Sequence, residues 1–238
     1  MERVRSLIAA EPTPLHDLDG IRGLMLRLCA AMGRVVGASG VGLTVMAKDG
    51  VRGVIVATDP ATERLEELQY TLGEGPCVDA FGRQHPVLVP SLADGAMTRW
   101  PTYAPAAYDA GIRAVFAFPL QVGGARLGIM DVFRGHSGAL SGEELQLALT
   151  FADAAVSTLL DSQAQVPASD DLDDRLGDPL GSRTELFQAQ GMVMAQLGTN
   201  LHDAMARMRA YAYAENRHLA DVASDVVARR LCFDPDPS

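Results

Sequence analysis

Residues 184–230, TELFQAQGMVMAQLGTNLHDAMARMRAYAYAENRHLADVASDVVARR, write one amphipathic pattern three times in succession. Leu186, Ala189, Val193 and Leu197 define the first stripe, and Gly198 follows at a natural helix stop. Leu201, Ala204, Met205, Met208 and Ala212 form the second, and Leu219, Val222, Ala223, Val226 and Val227 the third. Each set keeps the i, i+3, i+4, i+7 spacing of a helix that buries one face and wets the other. A segment this short can bury enough apolar surface only if the three stripes face one another. The pattern predicts a compact three-helix unit and by itself names no ligand.

Particular residues on these helices say more. Ala189-Gln190-Gly191 with Met192-Val193-Met194, the Gly198-Thr199-Asn200 link, Asp203-Ala204-Met205 and Arg209-Ala210-Tyr211-Ala212 resemble the ANTAR domain. So do Leu219-Ala220-Asp221-Val222-Ala223 and the closing Val226-Val227. The resemblance runs through all three helices in order. It implies an RNA-binding antitermination module attached to a signalling domain. Gln190 stands where the family often has Lys, so a hydrogen-bonding side chain replaces a cation.

The whole chain of 238 residues carries a net charge of −10, which argues against non-specific coating of nucleic acid. The charge is uneven. Between residues 181 and 233, six arginines (Arg183, Arg207, Arg209, Arg217, Arg229, Arg230) oppose five acidic residues, for a net +1. The planar guanidinium suits phosphate and base edges better than Lys does. Three cysteines at 29, 77 and 232 make neither a C-x-x-C pair nor an even framework. The apolar run Leu7–Ala10 is too short for a signal-peptide core, and nothing approaches a membrane span. A reduced cytoplasm is the simplest expected home.

Upstream, a helix is expected from Leu15 to Val36 and a strand over Val41–Ala47. An Asp-Gly turn at 48–50 leads to a returning strand over Gly53–Thr58. Asp59-Pro60 supplies a cap and a first-position proline for a helix running to Tyr70. A short helix at Cys77–Phe81, a strand at Val87–Val89 and a helix from Trp100-Pro101 to Ala110 follow. Strands Ala114–Leu120 and Arg126–Phe133 are joined through Gly123-Gly124, and Ser141–Glu144 is a capping box for a last long helix. This is an α+β order in which helices cover one face of an antiparallel sheet.

Leu72-Gly73-Glu74-Gly75-Pro76-Cys77, Pro86–Pro90, Arg99-Trp100-Pro101, Phe118-Pro119-Leu120 and Leu127-Gly128 resemble a GAF domain over about residues 15–163. The expected organisation is a GAF-like sensory domain (15–163), an acidic linker (164–180) and an ANTAR-like three-helix domain (181–233). The linker holds Asp170, Asp171, Asp173, Asp174 and Asp178 against Arg175. It reads as a solvated tether. The sharper alternative is a strip that occupies the arginine face of the C-terminal module.

For RNA contact the candidates are Arg183, Gln190, Arg207, Arg209, Tyr211, Tyr213, Arg217 and His218, since single-stranded loops are read by aromatic stacking and by Arg. For a small-molecule pocket of the GAF-like domain they are Cys77, Trp100, Tyr103 and Phe116. The ligand itself is unnamed by the sequence. Cys77 follows Gly-Pro at a helix start, where the dipole favours a thiolate. The five histidines show no metal-ligand spacing, so no metal is expected.

The reading this supports is a non-enzymatic, signal-responsive regulator that binds hairpin loops in nascent RNA. A protein- or DNA-binding scaffold is one alternative. A methionine-sulfoxide-reducing GAF enzyme is another, but Cys29 and Cys77 are the only cysteines in that segment and lie 48 positions apart. Apolar stripes on the helices at 15–36 and 141–163 also suggest a homodimer.

Overall fold

A computed structural model describes residues 1–12, 20–47, 50–164, 181–215 and 217–234. The Lys48-Asp49 turn and the acidic linker from 165 to 180 lie outside the described residues. The chain divides into two compact units, Met1–Leu176 and Gly177–Ser238.

The first unit is built on a five-stranded antiparallel sheet in the order β2-β1-β5-β4-β3. Its strands are β1 (Gly40–Ala47), β2 (Gly50–Ala57), β3 (Val87–Val89), β4 (Ala114–Val122) and β5 (Ala125–Arg134). Helices cover both faces, where the sequence pattern suggested one. The reason lies in the central strand. Alternate β5 residues Met130 and Val132 join one core cluster, while Ile129 and Phe133 join another.

Helices α1 (Glu2–Ala9), α2 (Ile21–Val35) and α7 (Gly142–Ala164) pack on the first face. The α1 helix was not foreseen, although Val4 and Ile8 are both buried one turn apart. The other face carries α3 (Pro60–Leu72), α4 (Pro76–Arg83), α5 (Ala96–Arg99) and α6 (Tyr103–Asp109). The helix expected from Trp100-Pro101 begins instead at Tyr103 as α6, and the unexpected α5 ends at Arg99 just before that pair.

Local signals held where side chains cap backbone. Asp59 Oδ1 accepts from the amides of Ala61 and Thr62, each at 2.9 Å. Ser141 and Glu144 exchange their reciprocal bonds at 2.6 and 3.2 Å. Gly128 is demanded by close packing instead, because a Cβ there would lie 2.2 Å from the Thr44 carbonyl oxygen on β1. Backbone cannot yield as a flexible side chain does. Gly128→Ala should therefore cost about 1–3 kcal/mol. Urea unfolding followed by the fluorescence of Trp100, the one tryptophan, would measure it.

The second unit contains α8 (Gly181–Leu197), α9 (Leu201–Ala214) and α10 (Leu219–Val227). Its core is Leu186, Ala189 and Val193 against Ala204, Met208 and Ala212, closed by Leu219, Val222, Ala223 and Val226. Most of the expected stripes are buried, but Leu201 is exposed and Leu197, Met205 and Val227 are half-buried. Gly198, at φ +62°, ends α8, and the Thr199 amide reaches back to the Met194 carbonyl at 3.1 Å. Asn200 opens α9 by accepting from the Asp203 amide at 3.0 Å.

Candidate functional sites

On the α3–α6 side of the sheet, polar groups meet in the interior. Thr62, Glu66 and Gln69 are all buried and lie on one stripe of α3. Glu66 crosses over β1 at Gly42, where any Cβ would sit 2.3 Å from its Oε1. Thr44 donates its hydroxyl to Glu66 Oε2 at 2.9 Å. Gln69 donates from Nε2 to Asp131 Oδ2 at 2.9 Å and accepts from the Cys77 amide at 2.8 Å, which fixes the orientation of its amide. Glu74, in the loop between α3 and α4, accepts from the amides of Thr102 and Tyr103, both at 2.7 Å. That bond starts α6 and sets Tyr103 in place.

Glu66, Cys77 and Asp131 converge so closely that one oxygen or sulfur atom from each lies within 4.8 Å of the others, and all three are buried. Burial pushes Asp131 up to about 7, against the bonds it receives from Gln69, Glu66 and Cys77. Burial and the neighbouring Asp131 drive Glu66 well above the usual carboxylate range. The Cys77 thiol is likewise pushed well up, first by burial and then by Asp131 and Glu66. The helix-start dipole therefore does not yield a thiolate there. Tyr103 is fully buried, and its phenol is pushed well above its ordinary range, first by burial and then by the neighbouring Asp131, Glu66 and Cys77. Neither its hydroxyl nor the Trp100 indole N–H has a hydrogen-bond partner among the described residues.

Of the four residues expected to line one pocket, Cys77, Trp100 and Tyr103 share the core on this face of the sheet and Phe116 does not. Cys77 and Tyr103 belong to the interior cluster. Trp100 borders a shallow cleft of about 330 Å³ beside β3, with the Arg99 guanidinium 4.5 Å over its ring. Phe116 does not join them, because its side chain enters the core under α2 and α7, on the opposite face of the sheet. Glu66 and Asp131 were not anticipated. An acid within the apolar run Leu127–Phe133 was the signal that could have found the second.

In the second unit, α9 presents two shoulders beside its buried Met208 stripe. Arg207 and Tyr211, four apart, share one; Arg209 and Tyr213 share the other. Tyr211 lies nearer the core and packs edge-on against Phe233 at 5.5 Å. Tyr213 is 49% exposed. Arg207 is exposed, and Arg209 is half-buried with its Nε buried, as expected for a cation at the core's edge.

Arg217 instead donates to Asp225 Oδ2 at 2.6 Å, and Arg230 donates to the other oxygen at 2.7 Å. Hydrogen bonds from both arginines hold Asp225 below the usual carboxylate range. Gln190 donates to the Leu201 carbonyl at 2.7 Å, bracing the α8–α9 turn. His218 is exposed at the N-terminus of α10. Arg183 lies on the first turn of α8.

No helix among the described residues is long and apolar enough to cross a membrane. No curated protein matches the sequence. Solved GAF domains share the fold of the first unit. One, from an Acinetobacter phosphoenolpyruvate-protein phosphotransferase, aligns at a TM-score of 0.50 with 9% identity, covering 68% of this chain and 92% of that one. Another, from the Coxiella burnetii phosphoenolpyruvate-protein phosphotransferase, aligns at 0.50 with 13% identity over 69% and 92%. At such identities the likeness speaks for the fold alone.

The family model of the GAF domain matches residues 19–159, and that of the ANTAR domain matches residues 174–227. GAF domains sense signals, and ANTAR domains are RNA-binding antitermination modules; both are regulatory. The chain belongs to the GAF-domain family, and in it the GAF domain is followed by an ANTAR domain.

Proposed function

We propose that this chain is a signal-responsive transcription antitermination regulator, with no catalytic step of its own. Its C-terminal helices bind hairpin loops in nascent RNA and keep a terminator from forming, while the GAF domain receives the signal. The observation that carries this reading is the ANTAR match to residues 174–227, coinciding with a three-helix unit that shows Arg207 and Tyr213 to solvent. Dimerisation through the sensory unit and a cytoplasmic location complete the proposal.

Tyr213 is the aromatic available for stacking, with Arg209 on the same shoulder and Arg207 across the helix. Arg183 and His218 extend the set at neighbouring helix ends. Arg217, Gln190 and Tyr211 complete the set, and each also makes a contact within the unit.

Crosslinking the full chain to RNA in cells and sequencing the bound transcripts tests the reading and supplies a target. On a recovered hairpin, Tyr213→Ala should weaken binding by about 1–3 kcal/mol with little salt dependence. Arg207→Ala should weaken every sequence alike and lower the log–log salt slope by about 0.7. Recovery of no hairpin-bearing transcripts, or unchanged binding of a recovered hairpin by both folded variants, would reject the assignment.

A further inference from the structure

We propose that Glu66, Cys77 and Asp131 form a buried site for one divalent first-row transition-metal ion, with the Tyr103 phenol facing it. The inference concerns the first unit alone and stands whether or not the second binds RNA. Two features carry it independently. The first is the donor set: a carboxylate from α3, a thiol from the start of α4 and a carboxylate from the central strand, mutually within 4.8 Å. Four-coordinate sites with ligand lengths of about 2.0–2.3 Å place their donors roughly 3.5 Å apart, so a contraction of at most about 1.3 Å closes the site. The second is Tyr103. Its hydroxyl is fully buried, has no hydrogen-bond partner among the described residues, and lies where all three donors act on it. A buried phenol left unsatisfied costs free energy that a ligand at this point would recover.

The chemistry of the donors selects the ion. Two oxygens and one sulfur suit a borderline cation such as Zn²⁺ or Fe²⁺, whereas Mg²⁺ and Ca²⁺ ask for oxygen alone. Binding displaces the protons held by Cys77 and the carboxyls. Supporting bonds are already present, from Thr44 to Glu66 and from Gln69 to Asp131. Such outer partners orient ligands and tune the ion. An ion here would tie α3 and α4 to β5.

Co²⁺ is the probe, since a cobalt–thiolate bond gives a near-ultraviolet charge-transfer band. The titration uses the full chain carrying Cys232→Ser, because Cys232 is exposed and could bind metal on its own. The expected result is a band saturating at one equivalent, lost in Cys77→Ser, retained in Cys29→Ser, and requiring at least tenfold more Co²⁺ in Glu66→Gln and Asp131→Asn. No band, or a band that survives Cys77→Ser, overturns the proposal, as does unchanged affinity in both carboxylate variants. Should the variants fail to fold, the parent chain decides. Zn²⁺ at one equivalent should raise the melting temperature read from Trp100 fluorescence, and an unmoved transition overturns the site.

Discussion

Glu144→Ala should destabilise the first unit by about 3 kcal/mol, near the low end of what breaking a buried ion pair costs. Glu144 does two jobs. Its Oε2 accepts the Ser141 amide in the capping box, and its Oε1 accepts from Arg134 at 2.5 Å. The Arg134 side chain, at the end of β5, is only 5% exposed, and its guanidinium also donates to the Val36 carbonyl just past α2. One cation thus joins the sheet, α2 and α7. Without Glu144 it keeps the carbonyl but loses its counter-charge in a place water scarcely reaches. Glu144 itself is 28% exposed, so some solvent can compensate and the high end of the range is not expected.

Glu144→Gln separates the two roles. An amide keeps one acceptor oxygen, for Ser141 or for Arg134 but not both, and removes the charge, so its loss should fall between wild type and alanine. Urea midpoints from Trp100 fluorescence would rank the three chains. A Glu144→Ala chain as stable as wild type would mean that Arg134 is solvated after all.

The capping box was visible because its chemistry is local: Ser141 and Glu144 sit three apart, immediately before an apolar-periodic run. The Asp59-Pro60 cap, the Gly123-Gly124 hairpin and the Gly198 stop were readable for the same reason. Arg134 was silent, since its partners stand 98 and 10 positions away. Phe116 was placed on the wrong face because Ala114–Leu120 is apolar almost throughout. A strand buried on both sides has no polar residue to mark its alternation. On α3, Thr62, Glu66 and Gln69 carry polar side chains, yet their stripe is turned inward, toward the sheet. In the second unit the families' ordered motifs identified the module. That Arg217 and Arg230 share Asp225 depended on packing, which the motifs do not encode.

The inward turn of α3 has a consequence in pH. In metal-free protein, stability of the first unit should fall as pH rises from about 4 to about 7. In an unfolded chain Asp and Glu release their protons near 3.9 and 4.3. In the fold, burial holds the Asp131 proton up to about 7 and the Glu66 proton well above its usual range. Over that window the native state binds more protons than the unfolded state. Stability supplied by the neutral carboxyls is therefore complete below about 4 and is lost as pH climbs through the folded value. The slope is about 1.4 kcal/mol per pH unit for each proton so retained.

Asp59 and Glu144, both lowered in the fold, act with the opposite sign. Their contribution is present above the ordinary carboxylate range and lost only below it, so the two effects occupy different windows. Asp131→Asn keeps an oxygen for Gln69 but has no proton to lose. With chelator throughout, the wild-type urea midpoint should drop between pH 5 and pH 7, and the Asp131→Asn midpoint should drop less. Equal slopes in the two chains would show that Asp131 is already ionised at pH 5, and the buried cluster would then have to stabilise charge by more than the bond from Gln69.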